Sequence, residues 1–179
     1  MGRTLRIALA LGITWLIAAP AAEAQEIPQQ IRGNCCSCNS QIKFRKGLDL
    51  LRLGSRLIPT PAAVIDPLLT GMAVELGNAN GTLASIVIPP GAFTEKPSGR
   101  KWVYKDPAAK ASGGAFVVTL QERNDQLGGL ILDLKYFGDL SGAVLADMET
   151  IVVIGTSSFF DVGAWTQKSS GWRRHYPRL

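Results

Sequence analysis

The chain has 179 residues, 46% of them hydrophobic, with 19 lysines and arginines against 14 aspartates and glutamates. Residues 25–167 carry 13 charges of each sign, and four basic residues follow them without an acidic one. The main part of the chain is therefore neutral. This argues against a nucleic-acid binder, which needs a basic surface on its fold to meet phosphates.

Residues 1–24 have the pattern of a secretory signal peptide. Arg3 and Arg6 provide the positive start, residues 7–19 are apolar, and an A-E-A cleavage sequence precedes Gln25. The apolar run is shorter than the about 20 residues that a transmembrane helix needs. We therefore expect a secreted or periplasmic protein, or one associated with the cell surface, without a transmembrane segment after cleavage.

Residues 25–40 are polar and aperiodic, which predicts a flexible leader, and they hold all three cysteines: Cys35, Cys36 and Cys38. An internal disulfide favours Cys35 with Cys38, because bonding adjacent cysteines strains the peptide between them, and one thiol is then left over. That remaining thiol could link two chains as a disulfide-bonded homodimer. A third alternative is that all three cysteines bind a soft metal ion as thiolates. We expect disulfide chemistry, with no metal and no cofactor.

The segment from residue 41 to residue 167 predicts an all-β domain. The expected strands are residues 41–45, 48–58, 72–77, 82–89, 101–105, 116–121, 130–136, 150–154 and 158–166, with 172–175 as an extension. Residues 116–121 and 130–136 alternate with period two, as two joined strands would. Such spacing predicts an antiparallel β-sandwich of about eight or nine short strands, with Greek-key or immunoglobulin-like connections. A barrel is the lesser alternative.

The clearest local signal is a hairpin at residues 72–89 with an N-A-N-G sequence at 78–81. Asn-Gly accepts the positive φ that tight hairpin turns require. Alternation from that turn predicts one shared face for five residues: Val74, Leu76, Leu83, Ser85 and Val87.

Three motifs in one order resemble a β-sandwich module of undefined function from large secreted and surface proteins of bacteria. They are G-x-x-V-x-L-x-N-x-x-G at residues 71–81, IPPGAF at 88–93 and GRKWVYKD at 99–106. The resemblance spans about residues 43–165. It implies the sandwich fold and a location outside the cytoplasm, and it brings no catalytic residues.

Catalytic chemistry has few candidates in this sequence. The only histidine, His175, lies near the end of the chain, where a buried triad is hard to build. A carboxylate pair is the remaining route to a hydrolase, and four carboxylates lie on predicted strands: Glu122, Asp133, Glu149 and Asp161. We interpret these as solvated side chains and predict no catalytic residues.

Residues 168–179 combine positive charge with aromatic rings. Five of them form a candidate partner contact: Trp172, Arg173, Arg174, Tyr176 and Arg178. An exposed surface of this kind suits an acidic envelope polymer, a membrane surface or a protein, and a frayed terminus is the alternative. Trp102 and Trp165 are expected in the core instead.

The leading functional prediction is an exported, non-enzymatic β-sandwich that serves as a binding or structural module of the cell envelope or extracellular space. The alternatives are a small secreted hydrolase that uses a carboxylate pair and a thiol-based metal or redox module.

Overall fold

Two antiparallel sheets, of eight and four strands, pack over a common core in the computed structural model, which describes residues 29–32, 39–61, 63–124 and 128–176. The elements in chain order are β1 (Gln29–Arg32), β2 (Asn39–Lys43), β3 (Asp49–Leu57), α1 (Pro67–Thr70), β4 (Met72–Asn78), β5 (Gly81–Ile88), β6 (Thr94–Glu95), β7 (Lys101–Lys105), α2 (Ala109–Ser112), β8 (Gly114–Glu122), β9 (Leu130–Gly138), β10 (Asp147–Ile154), β11 (Ser157–Ala164), β12 (Thr166–Lys168) and β13 (Gly171–His175).

The smaller sheet has the strand order β5-β4-β10-β11, and the larger has β12-β13-β2-β3-β9-β8-β7-β6. Strand β1 connects them, since it pairs parallel with β11 and antiparallel with β3. The predicted all-β sandwich is confirmed. The strands missing from the prediction include β1, β6 and β12, which have four, two and three residues. Such short segments do not leave an alternating pattern in the sequence.

The core lies between the two sheets. The smaller sheet contributes Val74, Leu76, Ile86, Val152 and Phe159, and the larger contributes Ile42, Leu51, Leu53, Leu120, Leu132 and Leu134. Burial of each large aliphatic side chain contributes about 1.5–3 kcal/mol. Trp102 and Trp165 are buried in this core, as predicted.

The predicted face of the β4–β5 hairpin is wrong. Val74 pairs with Ile86 and Leu76 pairs with Ala84, so Ala84, Ile86 and Ile88 face the core. Ser85 and Val87 point outward and are exposed, and Leu83, the extra residue at the bulge, is partly buried against the core. The cause is a β-bulge between Leu76 and Gly77, where the register shifts by one residue. A one-residue shift moves every side chain of a strand to the opposite face.

The hairpin turn itself has two residues, Ala79 and Asn80, between the paired Asn78 and Gly81. The side-chain oxygen of Asn78 accepts a hydrogen bond of 2.9 Å from the Asn80 amide. Gly81, with φ of 123°, supplies the positive φ, which only glycines adopt in the described residues. Without the bulge, this turn would pair Leu76 with Leu83.

The predicted boundaries at both ends of the sandwich need correction. Strand β13 pairs with β2 over five residues, so residues 171–175 of the predicted tail are part of the larger sheet. Strand β1 likewise lies within the predicted flexible leader, residues 25–40. These strands pair with segments far away in the chain, and a local sequence pattern does not reveal such partners. The signal-peptide prediction, Cys35, Cys36, Cys38 and Arg178 lie outside the described residues.

The two helices have four residues each. Helix α1 lies at the end of the connection between β3 and β4. The Asp66 carboxylate starts this helix by accepting hydrogen bonds from the Leu68 and Leu69 amides at 3.0 and 3.3 Å. In the described ranges, no helix has the length and apolar character needed to cross a membrane.

Candidate functional site

One member of the predicted contact, Arg174, forms an ion pair between the two sheets. It lies on β13 of the larger sheet and meets Asp161 on β11 of the smaller sheet, with a distance of 2.7 Å between Nη2 and Oδ1. The side chains are only 13% and 11% exposed. We call this contact the inter-sheet ion pair. Its position links the smaller sheet to the last strand of the chain.

Gly163 and Tyr176 lie next to the Arg174 guanidinium of the inter-sheet ion pair. A Cβ atom on Gly163 would overlap the Arg174 guanidinium, so glycine leaves the space that the guanidinium occupies. The Tyr176 ring lies 4.9 Å from the Arg174 Cζ atom, at cation–π distance. Ser40 is fully buried opposite Arg174 in the β2–β13 pair, and its hydroxyl accepts a 3.3 Å hydrogen bond from the Gly54 amide.

Burial shifts the pKa values of two acidic groups in this cluster. It raises the pKa of Asp161 above its usual value, and the positive charge of Arg174 opposes that shift. Burial also raises the pKa of the Tyr176 hydroxyl, and the negative charge of Asp161 adds to the effect. Both groups already have polar partners within the cluster. The arrangement is therefore a structural contact between sheets.

The other predicted contact residues divide between the core and the surface. Trp172 is 6% exposed, and its indole donates a hydrogen bond to the carbonyl oxygen of Ala143. The expectation of an exposed Trp172 is therefore wrong, because this ring packs into the core beside Ile42. Arg173 and His175 point outward and are exposed. Residues 172–176 do not form one exposed surface.

A groove of about 550 Å³ lies where the loop after β2 approaches the loop after β9. Its lining includes Phe44, Arg45, Asp49, Asp139, Val144, Gln167 and Trp172. Phe44 and Val144 are 40% and 62% exposed, which is high for large apolar side chains. Exposed apolar residues that gather at a concave surface are typical of interaction sites.

A single buried carboxylate holds the two walls of the groove together. One oxygen of Asp49 accepts a 2.9 Å hydrogen bond from the Arg45 amide, in the loop after β2. The other accepts a 3.1 Å hydrogen bond from the Leu140 amide, in the loop after β9. Asp49 is 8% exposed. Because hydrogen bonds to a charged acceptor are the stronger ones, this residue determines the relative position of the loops.

Polar side chains also line the groove. Arg45 extends over the Phe137 ring at 5.8 Å. Asp139 accepts a 2.9 Å hydrogen bond from the Ser141 amide, and this bond lowers the pKa of its carboxyl group. Gln167, on β12, is exposed. The groove thus combines an aromatic face with a cation, an anion and an amide.

The four candidate carboxylates from the sequence lie on four different strands. Asp133 forms an exposed ion pair with Arg52 at 3.1 Å, and such pairs contribute little to stability. Glu122 and Glu149 are exposed. Glu149 points outward from the smaller sheet, while Asp161 points inward. The structure therefore does not bring these four residues together. The interpretation as solvated side chains agrees with the exposure of Glu122, Asp133 and Glu149 and is wrong for Asp161, whose side chain is buried.

Sequence reasoning missed Phe44, Asp49 and Val144. Each lies at the end of a strand or in a loop, where no periodic pattern marks it. An aspartate at the start of an apolar strand was the one available signal, and it does not reveal which loops the carboxylate joins.

Among the described residues, no group of three or more histidine, cysteine, aspartate or glutamate side chains is placed to hold a metal ion. The three cysteines are outside these residues, so the disulfide and metal alternatives for them stay predictions.

Comparison of the chain with protein-family models, with curated proteins and with solved structures gave no match. The resemblance to a secreted bacterial sandwich module therefore stays a prediction from the sequence.

Proposed function

We propose that this protein is an exported, non-enzymatic β-sandwich module of the cell envelope or extracellular space, and that it binds an envelope polysaccharide in the groove beside Phe44. The signal-peptide pattern of residues 1–24 supports export. The observation that carries the binding proposal is the groove itself, where Phe44 and Val144 are exposed on walls held by the buried Asp49.

The side chains of the groove favour a saccharide as the ligand. An aromatic ring packs well against the apolar face of a sugar, and Phe44 has the most exposed ring in the groove. Arg45 and Gln167 offer hydrogen-bond donors, and Asp139 offers an acceptor for hydroxyl groups. Since Asp49 positions the two loops before any ligand arrives, little conformational freedom is lost on binding.

The carboxylates of the groove support binding over hydrolysis. Each carboxylate oxygen of Asp49 accepts a hydrogen bond from a backbone amide, and Asp139 accepts one from the Ser141 amide in its own turn. The pKa of Asp139 is lowered, so this group stays ionised at neutral pH. A general acid in a glycosidase requires the opposite shift.

Co-sedimentation with purified peptidoglycan sacculi tests the proposal. We expect the exported protein to pellet with sacculi and Phe44→Ala to weaken binding about tenfold, the effect of losing a central aromatic contact. Val144→Ala and Val64→Ala form a matched pair, because both valines are exposed but only Val144 lines the groove. Val64→Ala should bind as the unmodified protein does.

Two results would contradict this function. One is binding to sacculi that is equal for the unmodified protein and Phe44→Ala, which would place the contact elsewhere. The other is an intact mass of the exported protein that includes residues 1–24, which would remove the argument for cleavage before Gln25. Absence of binding to sacculi, with the protein folded, would also overturn the choice of polymer.

A further inference from the structure

We propose that the outer face of the larger sheet binds a linear anionic polysaccharide along four basic side chains: Lys105, Lys135, Arg52 and Arg173. We call these four residues the basic row. None of them lines the groove beside Phe44, so this second binding surface does not depend on the groove. It shares with the proposed function only the export of the chain, which the pattern of residues 1–24 supports.

Charge is divided unequally between the two sheets. The strands of the smaller sheet contain neither lysine nor arginine, and their charged residues are Glu75, Asp147, Glu149 and Asp161. The strands of the larger sheet hold nine basic residues against four acidic ones. The sandwich therefore has a positive side and a negative side, although residues 25–167 are neutral in sum.

The basic row follows one line of directly paired residues across the larger sheet. Lys105 on β7 pairs with Val117, and Val117 pairs with Lys135 on β9. Lys135 pairs with Arg52 on β3, and the line continues through one residue of β2 to Arg173 on β13. Adjacent strands lie about 4.8 Å apart, so the line crosses six strands and spans about 24 Å.

The basic row points away from the core. Directly opposite residues of an antiparallel pair lie on the same face of the sheet, and the next residue along a strand lies on the other face. The neighbours Leu134, Leu51 and Trp172 are buried between the sheets. In agreement, Lys105 and Arg173 are exposed, and the other two basic side chains are partly exposed.

One acidic residue of the described strands, Asp133, shares this face. It lies two residues from Lys135 on β9, and its carboxylate forms the 3.1 Å ion pair with Arg52. The side chains of that pair are 39% and 43% exposed, and exposed ion pairs contribute little to stability. An anionic ligand can therefore take the place of Asp133 beside Arg52. The face keeps an excess of positive charge even while the ion pair is intact.

The shape of the sheet favours a linear ligand. Neighbouring strands rotate by about 20–25° relative to each other, so the outer face of six strands is strongly twisted. A flat surface such as a lipid bilayer cannot meet all four basic side chains on such a face. The line that crosses the strands lies along the axis of the twist, and a flexible polymer can follow it.

The chemistry of the line favours a polysaccharide over a nucleic acid. Only Val117 and Gln41 lie between the four basic residues, so no aromatic ring on this line can stack on a base. The Gln41 amide can exchange hydrogen bonds with sugar hydroxyl groups. The acidic residues of the smaller sheet repel a polyanion from the opposite side of the sandwich, which restricts binding to the basic face.

Fluorescence anisotropy with a labelled polygalacturonate oligosaccharide tests the proposal, because every sugar of this probe carries a carboxylate. Labelled dextran of similar length is the neutral control. The exported protein, in reductant, should bind polygalacturonate and not dextran. Binding should weaken when salt is raised from about 50 to about 200 mM, since exposed charges are screened.

Variants of the same face should act in opposite directions. Lys105→Gln combined with Lys135→Gln should weaken binding about tenfold, through the loss of two exposed charge contacts. Asp133→Asn should strengthen it about threefold, because it removes a negative charge and releases Arg52. An unfolded variant cannot produce that gain.

Lys96→Gln is the matched control for the loss of charge. Lys96 is an exposed lysine between β6 and β7, and its amide donates a hydrogen bond to the carbonyl oxygen of Lys101. This places it at the end of β7 opposite Lys105, about 14 Å along the strand. At that distance from the basic row, the substitution should change binding less than about twofold.

Three results would overturn the proposal. The first is a folded protein that does not bind polygalacturonate at low salt. The second is equal binding by the unmodified protein, the double lysine variant and Asp133→Asn. The third is tighter binding to double-stranded DNA or to phosphatidylglycerol vesicles than to polygalacturonate, which would assign the basic face to a different kind of ligand.

Discussion

Arg174 and Asp161 are each costly to remove from water, and in this fold each is the other's main charged partner. Their side chains are 13% and 11% exposed and join strands of different sheets at 2.7 Å. A buried pair of this kind adds little net stability compared with apolar residues, but the loss of one partner leaves the other charge buried without compensation. Gly163 is part of the same arrangement, because any side chain there would displace the guanidinium.

Replacement Arg174→Met should therefore destabilise the protein by about 3 kcal/mol at neutral pH. The pKa of Asp161 is already raised above 3.8 by burial, and the loss of Arg174 raises it further. A raised pKa in the folded state means that stability is present below the unfolded pKa and is lost as pH rises and Asp161 ionises. The cost of the substitution should thus be largest near neutral pH and shrink towards about pH 4.

Urea unfolding of both proteins at the two pH values measures this difference. The comparison between variant and unmodified protein cancels the titration of all other groups. Arg173→Met is the control, since Arg173 is the exposed neighbour on the same strand. An Arg174→Met cost that is the same at both pH values would show that Asp161 is not the group that the arginine compensates.

At the scale of one element, the bulge in the β4–β5 hairpin determines which residues reach the core. Two of the five residues that simple alternation placed on one shared face, Ser85 and Val87, point outward, and Ala84, Ile86 and Ile88 are buried. The sequence pattern contains a sign of this, because Ser85 would have been an unpartnered hydroxyl among core side chains. Burial of such a group without a partner is unfavourable.

Replacements at two adjacent positions distinguish the two registers. Ile86 is 4% exposed and Val87 is 75% exposed. We expect Ile86→Ala to destabilise the protein by about 3 kcal/mol, through lost burial and a cavity, and Val87→Ala to change stability by less than about 0.5 kcal/mol. Chemical denaturation measures both values. The reverse order of costs would support the register without the bulge.

At the scale of the whole molecule, the two ends of the described chain bind the sheets together. Strand β1 pairs with one strand of each sheet, and β13 lies between β2 and β12. Trp172 and Arg174 project from β13 into the space between the sheets. A segment that resembles a basic tail in the sequence is thus an internal strand of the larger sheet.

Removal of residues 169–179 should prevent folding. The truncation takes away strand β13, the buried indole of Trp172 and one partner of the inter-sheet ion pair. Loss of one buried tryptophan costs about 3–5 kcal/mol, and a typical domain has only about 5–15 kcal/mol in total. Circular dichroism and thermal melting check the result, with the double variant Arg173→Ala, His175→Ala as a control for the exposed face of β13. A truncated chain with a native melting transition would show that β13 is dispensable.

Elements with a strong local pattern were predictable from the sequence. Strands β8 and β9 include the alternating runs 116–121 and 130–136, and the prediction placed both strands. The burial of Trp102 and Trp165 also followed from the large area of the indole ring. Such features depend on a residue and its immediate neighbours, and the sequence displays both.

Features that depend on partners far away in the chain were decided by the tertiary structure alone. Trp172 is a core residue because β13 pairs with β2, more than a hundred residues earlier. The groove exists because Asp49 joins two loops that are separated by two-thirds of the described chain. A single inserted residue at the bulge reverses the face of β5, and the energy that favours it comes from packing against the opposite sheet. The sequence by itself thus determined the class of the fold, and long-range pairing decided which of its residues became core, edge or surface.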